Sequence, residues 1–454
     1  MAQSLVEAVR AAGVVGAGGA GFPTHAKLTA HVDTVIANGA ECDPLLQCDQ
    51  RLMESRAAEV VRGMQLVMEV TGATRGILAL KEEYAGACSA LRRAIGAVGN
   101  RSDLSLCLME SRYPAGDEFV LVYQATGRLV PETGLPLHVG CLVQNVQTLF
   151  NIARAAKGAT VTHRLLTVAG AVARPVTLWV PVGTAVRDVL VWAGGVQPPL
   201  WSRRTADDYA VVVGGPMMGR VAPDLDLPVT KTTGGLLVLP RDNVVVRYMT
   251  RSRTSWVRRG ISTCDQCLDC TVLCPRYLLG HNLRPHEVMR AINYGLERPA
   301  DKVTAAVLCC ECRLCEAYAC PLELSPMAQY VAIKQQLRVQ GWVNEVHKRT
   351  DFEPHPMREY RLVPTHRLIA RLGLNDWEHQ NCPLDETDYR PQRVLIPLRQ
   401  HLGAAAQPVV SVGDQVAVGD RIAQIPGEAL GANVHASLGG RISRVDGAAI
   451  EILA

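Results

Sequence analysis

The residues best suited to chemistry are cysteines, nine of which lie between positions 264 and 320 in a chain that has fifteen. The first group is a C-x2-C-x2-C-x3-C-P run made of Cys264, Cys267, Cys270 and Cys274. The second group has the spacing C-x2-C-x2-C-x4-C-P, and its members are Cys309, Cys312, Cys315 and Cys320. Such spacings let one tight loop place three thiolates around a cube of iron and sulfur, so they predict two [4Fe–4S] clusters.

Two questions stay open at this point. Four-cysteine zinc sites also use C-x2-C pairs, although zinc would leave the third cysteine of each triplet and the Cys-Pro step without a reason. Cys310 adjoins Cys309 and is either a spare thiol or the ligand in its place; we favour Cys309 because the x2 spacing is then kept. In bacterial ferredoxins the fourth cysteine commonly ligates the other cluster. The hypothesis is therefore crossed ligation, with Cys320 completing the first group and Cys274 the second.

A second candidate site is a glycine-rich loop over residues 13–27. Its glycines include Gly16, Gly18, Gly19 and Gly21. Backbone N–H groups of such a loop can approach a phosphate closely, and Lys27 adds positive charge. The loop is not a Walker A motif, because no Gly-Lys-Ser/Thr follows, and it departs from the dinucleotide fingerprint, because no strand clearly precedes it. A flexible Ala/Gly turn is the alternative.

The elements that position these residues must be spread over several domains. The 454 residues exceed what one hydrophobic core holds, so we predict at least two domains and expect three or four. A hydrophobic content of 48% excludes a largely disordered chain, and a net charge of +4 is too small to indicate nucleic-acid binding. No apolar run reaches the roughly 18–20 residues of a membrane-spanning helix. The N-terminus lacks a secretory signal, so we expect a cytoplasmic protein with reduced thiols.

Periodicity predicts elements in each part of the chain. We expect residues 1–12 to form a short helix. A second helix is predicted to begin at Pro285, with Val288, Ile292 and Leu296 on one face. Short apolar runs bounded by Gly and Pro over residues 160–240 predict strands. Near the C-terminus, V-G-D turns between alternating apolar residues predict a small β-sandwich.

Four segments resemble the FMN-binding domain that the flavoprotein subunit of respiratory complex I shares with the C subunit of the Rnf electron-transport complex. They are GAGGAGFPTHAKL at 16–28, NGAECDPLLQCDQRLM at 38–53, YPAGDE at 113–118 and VQNVQT at 143–148. They stand in the order found in the family, and the resemblance covers residues 1–155. It implies an α/β domain with non-covalently bound FMN.

Carried over by position, the residues expected to bind FMN or NADH are Gly16, Gly18, Gly19, Gly21, Lys27, Asn38, Glu41, Tyr113, Gly116, Asp117, Glu118, Gln144, Asn145 and Thr148. The glycines would lie against the flavin and its phosphate, with Lys27 as a charge partner. Glu41 and Glu118 are the candidate catalytic residues on the nicotinamide side. Ala40, Asp117 and Gln144 depart from the complex I pattern. The aromatic residues that stack adenine there have no clear counterpart, which leaves the direct electron donor open.

The rest of the chain extends the resemblance and predicts a multidomain α/β plus β fold. Residues 156–245 look like the ubiquitin-like β-grasp (SLBB) domain, and residues 250–350 are the expected helical, ferredoxin-like two-cluster module. Residues 385–454 resemble the barrel-sandwich of biotinyl and lipoyl carriers, but the last lysine of the chain is Lys348, so the carrier lysine is missing. In the Rnf subunit the similar segment stands at the N-terminus instead.

This order of modules resembles the cobalamin reductases of propanediol-utilisation microcompartments. The resemblance implies electron transfer from NADH through FMN and two [4Fe–4S] clusters to cob(III)alamin and cob(II)alamin. It also implies a corrinoid adenosyltransferase and shell proteins as partners, a location inside a microcompartment, and neither nucleic-acid binding nor membrane insertion. Two alternatives are a soluble Rnf-like subunit that exchanges electrons between NADH and a ferredoxin, and a non-enzymatic scaffold that relays electrons.

Overall fold

The computed structural model of the protein describes residues 2–99, 103–198, 202, 204–296 and 300–454. Its helices and sheets form four units in chain order. A connecting segment over residues 351–385 lies between the third and fourth units. Within the described ranges, no helix has both the length and the apolar character that a bilayer crossing requires.

The first unit is an α/β domain on a parallel sheet of order β3-β2-β1-β5. Its strands are β1 Thr34–Gly39, β2 Arg75–Lys81, β3 Leu104–Met109, β4 Arg112–Tyr113 and β5 Cys141–Asn145. Its helices are α1 Ala2–Ala11, α2 Thr24–Lys27, α3 Cys48–Ser55, α4 Ala57–Thr71, α5 Ala85–Val98, α6 Glu118–Thr126 and α7 Val146–Ala155. Strands β1 and β2 are almost continuously buried, because helices cover both faces of the sheet.

The carboxyl edge of this sheet brings two predicted site residues together. Asn38 is the next-to-last residue of β1, and it pairs in register with Asn145 of β5. Open parallel sheets bind ligands at this edge. Helix α1 belongs to the same domain, since Leu5 and Val9 are buried in its core.

The second unit is a mixed sheet in which β6 lies between β7 and β10, and β8 and β9 continue the sheet beyond β10. Its elements are β6 His163–Gly170, β7 Val176–Pro181, α8 Val186–Trp192, β8 Tyr209–Val213, β9 Arg220–Val221 and β10 Gly235–Pro240. The alternating runs of the sequence thus form strands, and one helix packs on them.

The third unit is helical. Its helices are α9 Val244–Thr250, α10 Arg253–Thr263, α11 Asp269–Val272, α12 Pro275–Leu278, α13 Pro285–Asn293, α14 Ala300–Thr304, α15 Leu314–Ala317 and α16 Pro326–Val339. Helix α13 begins at the predicted proline, but the expectation that Leu296 lies on its apolar face is wrong. Gly295 adopts a φ of 60° and ends the helix in a Schellman motif, with the Leu296 N–H bonded to the Ala291 carbonyl at 2.8 Å. Leu296 is consequently exposed.

The connecting segment joins the first three units. Its elements are β11 Val363–Pro364, α17 Thr365–Arg371 and β12 Leu384–Asp385. Strand β11 pairs with β4 of the first unit, and β12 adds a parallel edge strand beside β7 of the second. The Arg371 guanidinium donates to the Cys320 carbonyl of the third unit at 3.3 Å. No sequence pattern predicted that this segment would join the three units.

The fourth unit is a sandwich of two small sheets, of order β13-β19-β18-β15 and β14-β16-β17. Its strands are β13 Arg393–Pro397, β14 Gln407–Pro408, β15 Gln415–Val416, β16 Arg421–Gln424, β17 Val434–His435, β18 Gly440–Val445 and β19 Ala449–Leu453. The two V-G-D turns close as expected. Gly413 and Gly419 have φ of 100° and 95°, and the carboxylates of Asp414 and Asp420 each accept a backbone N–H at 2.8 Å.

A close contact between α4 and α7 provides a test of the first unit. A Cβ at Gly63 would lie 2.0 Å from the Leu149 carbonyl oxygen, whereas a Cβ at the exposed Gly96 of α5 would meet no atom within 4 Å. We expect Gly63→Ala to destabilise the domain by about 1–3 kcal/mol. The control Gly96→Ala should be neutral or stabilising, by up to about 1 kcal/mol. Thermal unfolding followed by circular dichroism measures both variants, and equal midpoints would contradict the contact.

Candidate cofactor sites

The two cysteine groups share one backbone conformation. In each group the residues two and four positions after the first cysteine have positive φ, namely Gln266 and Leu268 in one, Glu311 and Arg313 in the other. Non-glycine residues rarely adopt this conformation. A short helix follows each loop at the same offset, α11 in the first and α15 in the second. The two loops are therefore structural repeats of one another.

This repeat bears on the choice between Cys309 and Cys310. The positive-φ offsets of the two loops match only when Cys309 is aligned with Cys264, and Cys310 then corresponds to Asp265. The Cys309 sulfur accepts the backbone N–H of Glu311 at 3.3 Å. The geometry thus favours Cys309 as the first ligand of its group, as the spacing predicts.

Thiols from both groups meet at the outer cluster site, defined as Cys264, Cys267, Cys270 and Cys320. All four line one pocket. Burial raises the pKa of Cys270, and the neighbouring thiols of Cys320, Cys267 and Cys264 raise it further. Cys267 is exposed at the protein surface. Cys320 thus joins the first group, in the arrangement that crossed ligation requires.

The other thiols form the inner cluster site, defined as Cys274, Cys309, Cys312 and Cys315. Cys274 packs with Cys309 and Leu308 in one small apolar core. Burial, and then the thiol of Cys310, raise the pKa of Cys274 to about 12. Three of the four thiols are buried, those of Cys274, Cys312 and Cys315.

The donor set of both sites fits iron–sulfur clusters. Every cysteine of the two sites is free rather than disulfide-bonded. Burial raises the pKa of Cys270, Cys274 and Cys315 and so disfavours their thiolate forms, and the positive charge of a metal would be needed to hold several thiolates together. Four converging thiolates are the ligand set of a [4Fe–4S] cluster.

The glycine-rich loop lies beside the carboxyl edge of the first sheet. A Cβ at Gly18 would approach the Asn145 side chain at 3.5 Å, and Gly19 is open to solvent. The buried Thr148 hydroxyl accepts the Ala17 N–H at 2.9 Å. Thr148 therefore supports the loop at Ala17, and residues 18–20 of the loop are exposed.

Lys27 and Glu118 face each other across this edge. The ammonium of Lys27 lies 3.3 Å from a Glu118 carboxylate oxygen and 3.3 Å from the Val143 carbonyl. Both side chains are partly exposed. A phosphate arriving at the loop would compete with Glu118 for this charge.

The segment 113–118 is fixed against the end of β1. The Asn38 amide donates to the Gly116 carbonyl at 2.9 Å and accepts the Ala40 N–H at 3.2 Å. A Cβ at Gly116 would lie 3.2 Å from the Cys42 sulfur. Gly116 therefore allows a close approach that other residues would obstruct.

Glu41 is held at the start of α3. Its two carboxylate oxygens accept the N–H groups of Asp49 and Gln50, each at 3.0 Å. The Asn145 amide donates to Asp49 at 2.6 Å. Burial, and to a smaller extent the nearby Glu41 carboxylate, raises the pKa of Asp49 to about 7. The orphaned polar atoms Asp49 Oδ1 and Gln144 Nε2 are buried here, and they offer hydrogen bonds that a flavin could satisfy.

Several predicted flavin residues have partners elsewhere in the protein. The Tyr113 hydroxyl donates to the Cys312 carbonyl at 2.7 Å. Asp117 caps α6 by accepting two backbone N–H groups, and its other oxygen pairs with Arg276 at 2.9 Å. A Cβ at Gly21 would lie against Thr232 and the backbone of residues 400–401. The structure thus groups the exposed loop, Lys27, Asn38, Glu41, Glu118 and Asn145, and gives Tyr113, Asp117 and Gly21 supporting contacts.

A buried lysine that no sequence motif marks holds the glycine-rich loop. The Lys231 ammonium donates to the Gly13 carbonyl at 2.7 Å and to the Asn433 carbonyl at 2.8 Å. Burial lowers its pKa to about 7. At the other end of the loop, the Leu402 N–H donates to the Gly21 carbonyl at 3.1 Å. The second and fourth units therefore clamp both ends of the loop.

The GGPMMG segment at 214–219 contacts the first unit. The Asp43 carboxylate accepts the N–H groups of Met217 and Met218 at 2.9 and 3.1 Å. A Cβ at Gly215 would lie 2.1 Å from the Asp43 carboxyl carbon, so only glycine fits. Burial raises the pKa of Asp43 to about 6. The Arg313 guanidinium donates to the Met217 carbonyl at 2.8 Å, which ties the cluster module to the same point.

Four family models match the chain in this order. They are the Nuo51 FMN-binding domain over residues 9–154, the SLBB domain over 165–221, a 4Fe-4S dicluster domain over 263–325 and the RnfC barrel sandwich hybrid domain over 378–452. These matches confirm the predicted fold class and the predicted FMN and iron–sulfur domains.

Two relatives match the whole chain. A protein named cobalamin reductase PduS from Citrobacter freundii is 46% identical over 453 residues, which cover 100% of this chain and 97% of that protein. The protein of the same name from Salmonella typhimurium is 45% identical with the same coverage.

Two solved structures of NAD+-reducing [NiFe]-hydrogenase, H2-reduced and air-oxidized, share 25% sequence identity with the chain at TM-scores of 0.48 and 0.49. They cover 77% and 84% of this chain, which spans 64% and 68% of the hydrogenase chains.

Crossed ligation makes a prediction about Cys320. Cys320→Ser should remove about half of the iron, and the lost EPR signal should be that of the cluster held by Cys264, Cys267 and Cys270. Iron analysis and EPR of anaerobically purified protein measure this. The matched change Cys310→Ser should leave both signals. If Cys320→Ser instead removes the cluster of the second group, ligation is not crossed.

The clamp on the glycine-rich loop predicts weaker FMN binding when Lys231 is changed. Lys231→Met removes two buried hydrogen bonds, and we expect the dissociation constant of FMN to rise about tenfold, which is about 1.4 kcal/mol. Quenching of flavin fluorescence on binding to the apoprotein measures it. The exposed Lys157→Met serves as the control and should bind FMN normally. An unchanged affinity in Lys231→Met would show that the loop does not depend on the clamp.

Proposed function

Since the chain belongs to the PduS family of cobalamin reductases, we propose that it passes electrons from NADH through FMN and two [4Fe–4S] clusters to the cobalt of cobalamin. A bound flavin accepts an electron pair as hydride and releases electrons one at a time, which is what an iron–sulfur cluster requires. The protein is thus an FMN and iron–sulfur oxidoreductase. Its product, a reduced corrinoid, is the form that adenosylation needs.

One observation carries the proposal: the segment 113–118, called the flavin segment from here on, makes direct contacts with the inner cluster site. The Tyr113 hydroxyl contacts the Cys312 carbonyl, and Asp117 pairs with Arg276, which lies two residues after Cys274. The two candidate sites are therefore joined by direct contacts. A chain of cofactors transfers electrons only when its members are held close to one another.

The order of the two clusters follows from burial. The inner site is the one beside the flavin segment, and most of its thiols are buried. The outer site exposes Cys267 at the surface. Electrons would therefore pass from FMN to the inner cluster, then to the outer cluster, and leave near Cys267. A corrinoid is too bulky to reach a buried cluster, so an exposed exit suits this acceptor.

The candidate catalytic residues, Glu41 and Glu118, remain a prediction that rests on the family resemblance. Glu118 is 44% exposed, and within the described part of the chain only its Oε1 is paired, with the Lys27 ammonium. Glu41 orients α3 and is linked through Asp49 to Asn145. Hydride transfer needs positioning rather than a proton donor, and these contacts supply positioning.

The proposal includes partners and a location. A corrinoid adenosyltransferase would take the reduced cobalamin, and shell proteins of a propanediol-utilisation microcompartment would enclose the enzyme. Helix α1 does not offer its apolar face to a shell protein, because Leu5 and Val9 are buried in the first unit. Contact with a shell would have to use the polar side of that helix or another surface.

The exit at the outer site predicts the behaviour of Cys267→Ser. This variant should still oxidise NADH and reduce its bound FMN, but its reduction of cob(II)alamin should fall at least tenfold. Anaerobic absorption spectroscopy follows both steps. The control Cys107→Ser alters a thiol outside both cluster sites and should keep both activities.

Other outcomes separate the alternative functions. Efficient reduction of a ferredoxin with no reduction of cobalamin would favour the Rnf-like exchange. Failure of the wild-type protein to oxidise NADH, with clusters that still take electrons from other donors, would favour the relay scaffold.

A further inference from the structure

The residue of interest is Arg276, on the first turn of α12, two positions after the inner-site ligand Cys274. Its guanidinium is buried, with 7% of the residue exposed. One nitrogen, Nη2, donates to Asp117 at 2.9 Å. The guanidinium carbon lies 3.7 Å from the centre of the Phe119 ring. Arg276 is therefore fixed between the flavin segment and the inner cluster site.

The other two nitrogens of Arg276 have no partner among the described residues. Nε and Nη1 are both buried and donate to no oxygen, nitrogen or sulfur atom of these residues. Buried N–H groups are almost always hydrogen-bonded, because leaving one unpaired costs the full desolvation of the group. Some acceptor other than a protein oxygen must therefore face these donors.

The inner site adjoins Arg276, because Arg276 follows Cys274 by two residues and its backbone N–H is hydrogen-bonded to the Cys274 sulfur. Burial lowers the pKa of Arg276, but the charges of Asp117, Cys310, Cys274 and Cys312 outweigh it and raise the pKa overall. The guanidinium is therefore charged as well as buried. The inorganic sulfides of a cluster held at this site are acceptors for such N–H groups.

We propose that Arg276 donates hydrogen bonds from Nε and Nη1 to sulfur atoms of the inner cluster and thereby raises its reduction potential, while Nη2 holds Asp117 of the flavin segment. Reduction adds one electron, and so one negative charge, to the cluster. Hydrogen bonds and a fixed positive charge stabilise that state more than the oxidised one. The inference rests on the inner cluster of the proposed function.

Arginine is the residue type that this position requires. Its planar guanidinium presents donors along separate edges, so it can serve a carboxylate and a cluster at once. A lysine keeps the charge but offers a single point of donation. A merely structural ion pair between the two units would hold Asp117 equally well and would leave the cluster potential unchanged.

The test is an EPR-monitored redox titration of the full-length holoprotein and its Arg276→Met and Arg276→Lys variants. The inner cluster of Arg276→Met should become harder to reduce by at least a tenfold change in its one-electron equilibrium, which is about 59 mV. Arg276→Lys should shift it in the same direction by less. The outer cluster should keep its potential in both variants, and Cys267→Ser assigns its signal.

Arg358→Met is the matched control. Arg358 is also buried at the interface with the first unit, pairs with Glu359 and lies against the Tyr123 ring, but has no cysteine among its contacts. It should leave both potentials unchanged. If Arg276→Met does not retain the inner cluster, the potential is measured on Arg276→Lys instead.

Three results would overturn the inference. They are an unchanged inner potential, an equal shift of both clusters, and loss of the inner cluster from both Arg276 variants while Arg358→Met keeps it. Failure of the proposed function would already be visible in the wild-type protein. That protein would then lack iron–sulfur signals, or would show normal potentials without reducing cobalamin.

Discussion

Buried polar contacts between domains fix the distance between the flavin segment and the inner cluster site. Asp117 with Arg276 and Tyr113 with the Cys312 carbonyl join the first and third units, and Asp43 with the GGPMMG backbone joins the first and second. Such contacts gain little net free energy, because each buried charge must first be desolvated. They specify geometry instead, since any other docking of the units would leave a buried charge or donor unpaired. Electron transfer between cofactors in separate domains depends on that single geometry.

Support for the glycine-rich loop comes from parts of the chain far apart in sequence. Lys231 of the second unit and residues 402 and 433 of the fourth hold its two ends. The connecting segment adds a strand to the sheet of the second unit and a strand partner for β4 beside the flavin segment. A barrel-sandwich without a carrier lysine therefore has a use that does not involve carrying a group, namely holding the loop of another domain.

Local patterns in the sequence predicted much of the fold and of the cofactor sites. Spacing identified the two cysteine loops, because three ligands on one tight loop are set by the loop itself. Cys309 as the first ligand of its group stays a prediction, which the matching backbone geometry of the two loops favours. Periodicity and turn residues predicted the strands and the sandwich, and the family comparisons confirm the fold class, the cofactor domains and the function in cobalamin reduction. Arg276, Lys231 and the connecting segment were not predictable, because their partners lie in other domains and no periodicity marks a long-range pair. Leu296 was misplaced because one glycine ended α13 early.

The sandwich also contacts the beginning of the first unit. The Arg10 guanidinium donates to the Gly427 carbonyl at 2.8 Å, and the Asn433 amide lies within 3.4 Å of the Arg10 carbonyl. A sandwich encoded ahead of the flavin domain could therefore occupy the same place, with only a short linker to bridge the two. A circular permutation that moved the sandwich ahead of the flavin domain would therefore be compatible with the arrangement of modules in this structure. The contacts between the two modules do not depend on which of them is encoded first.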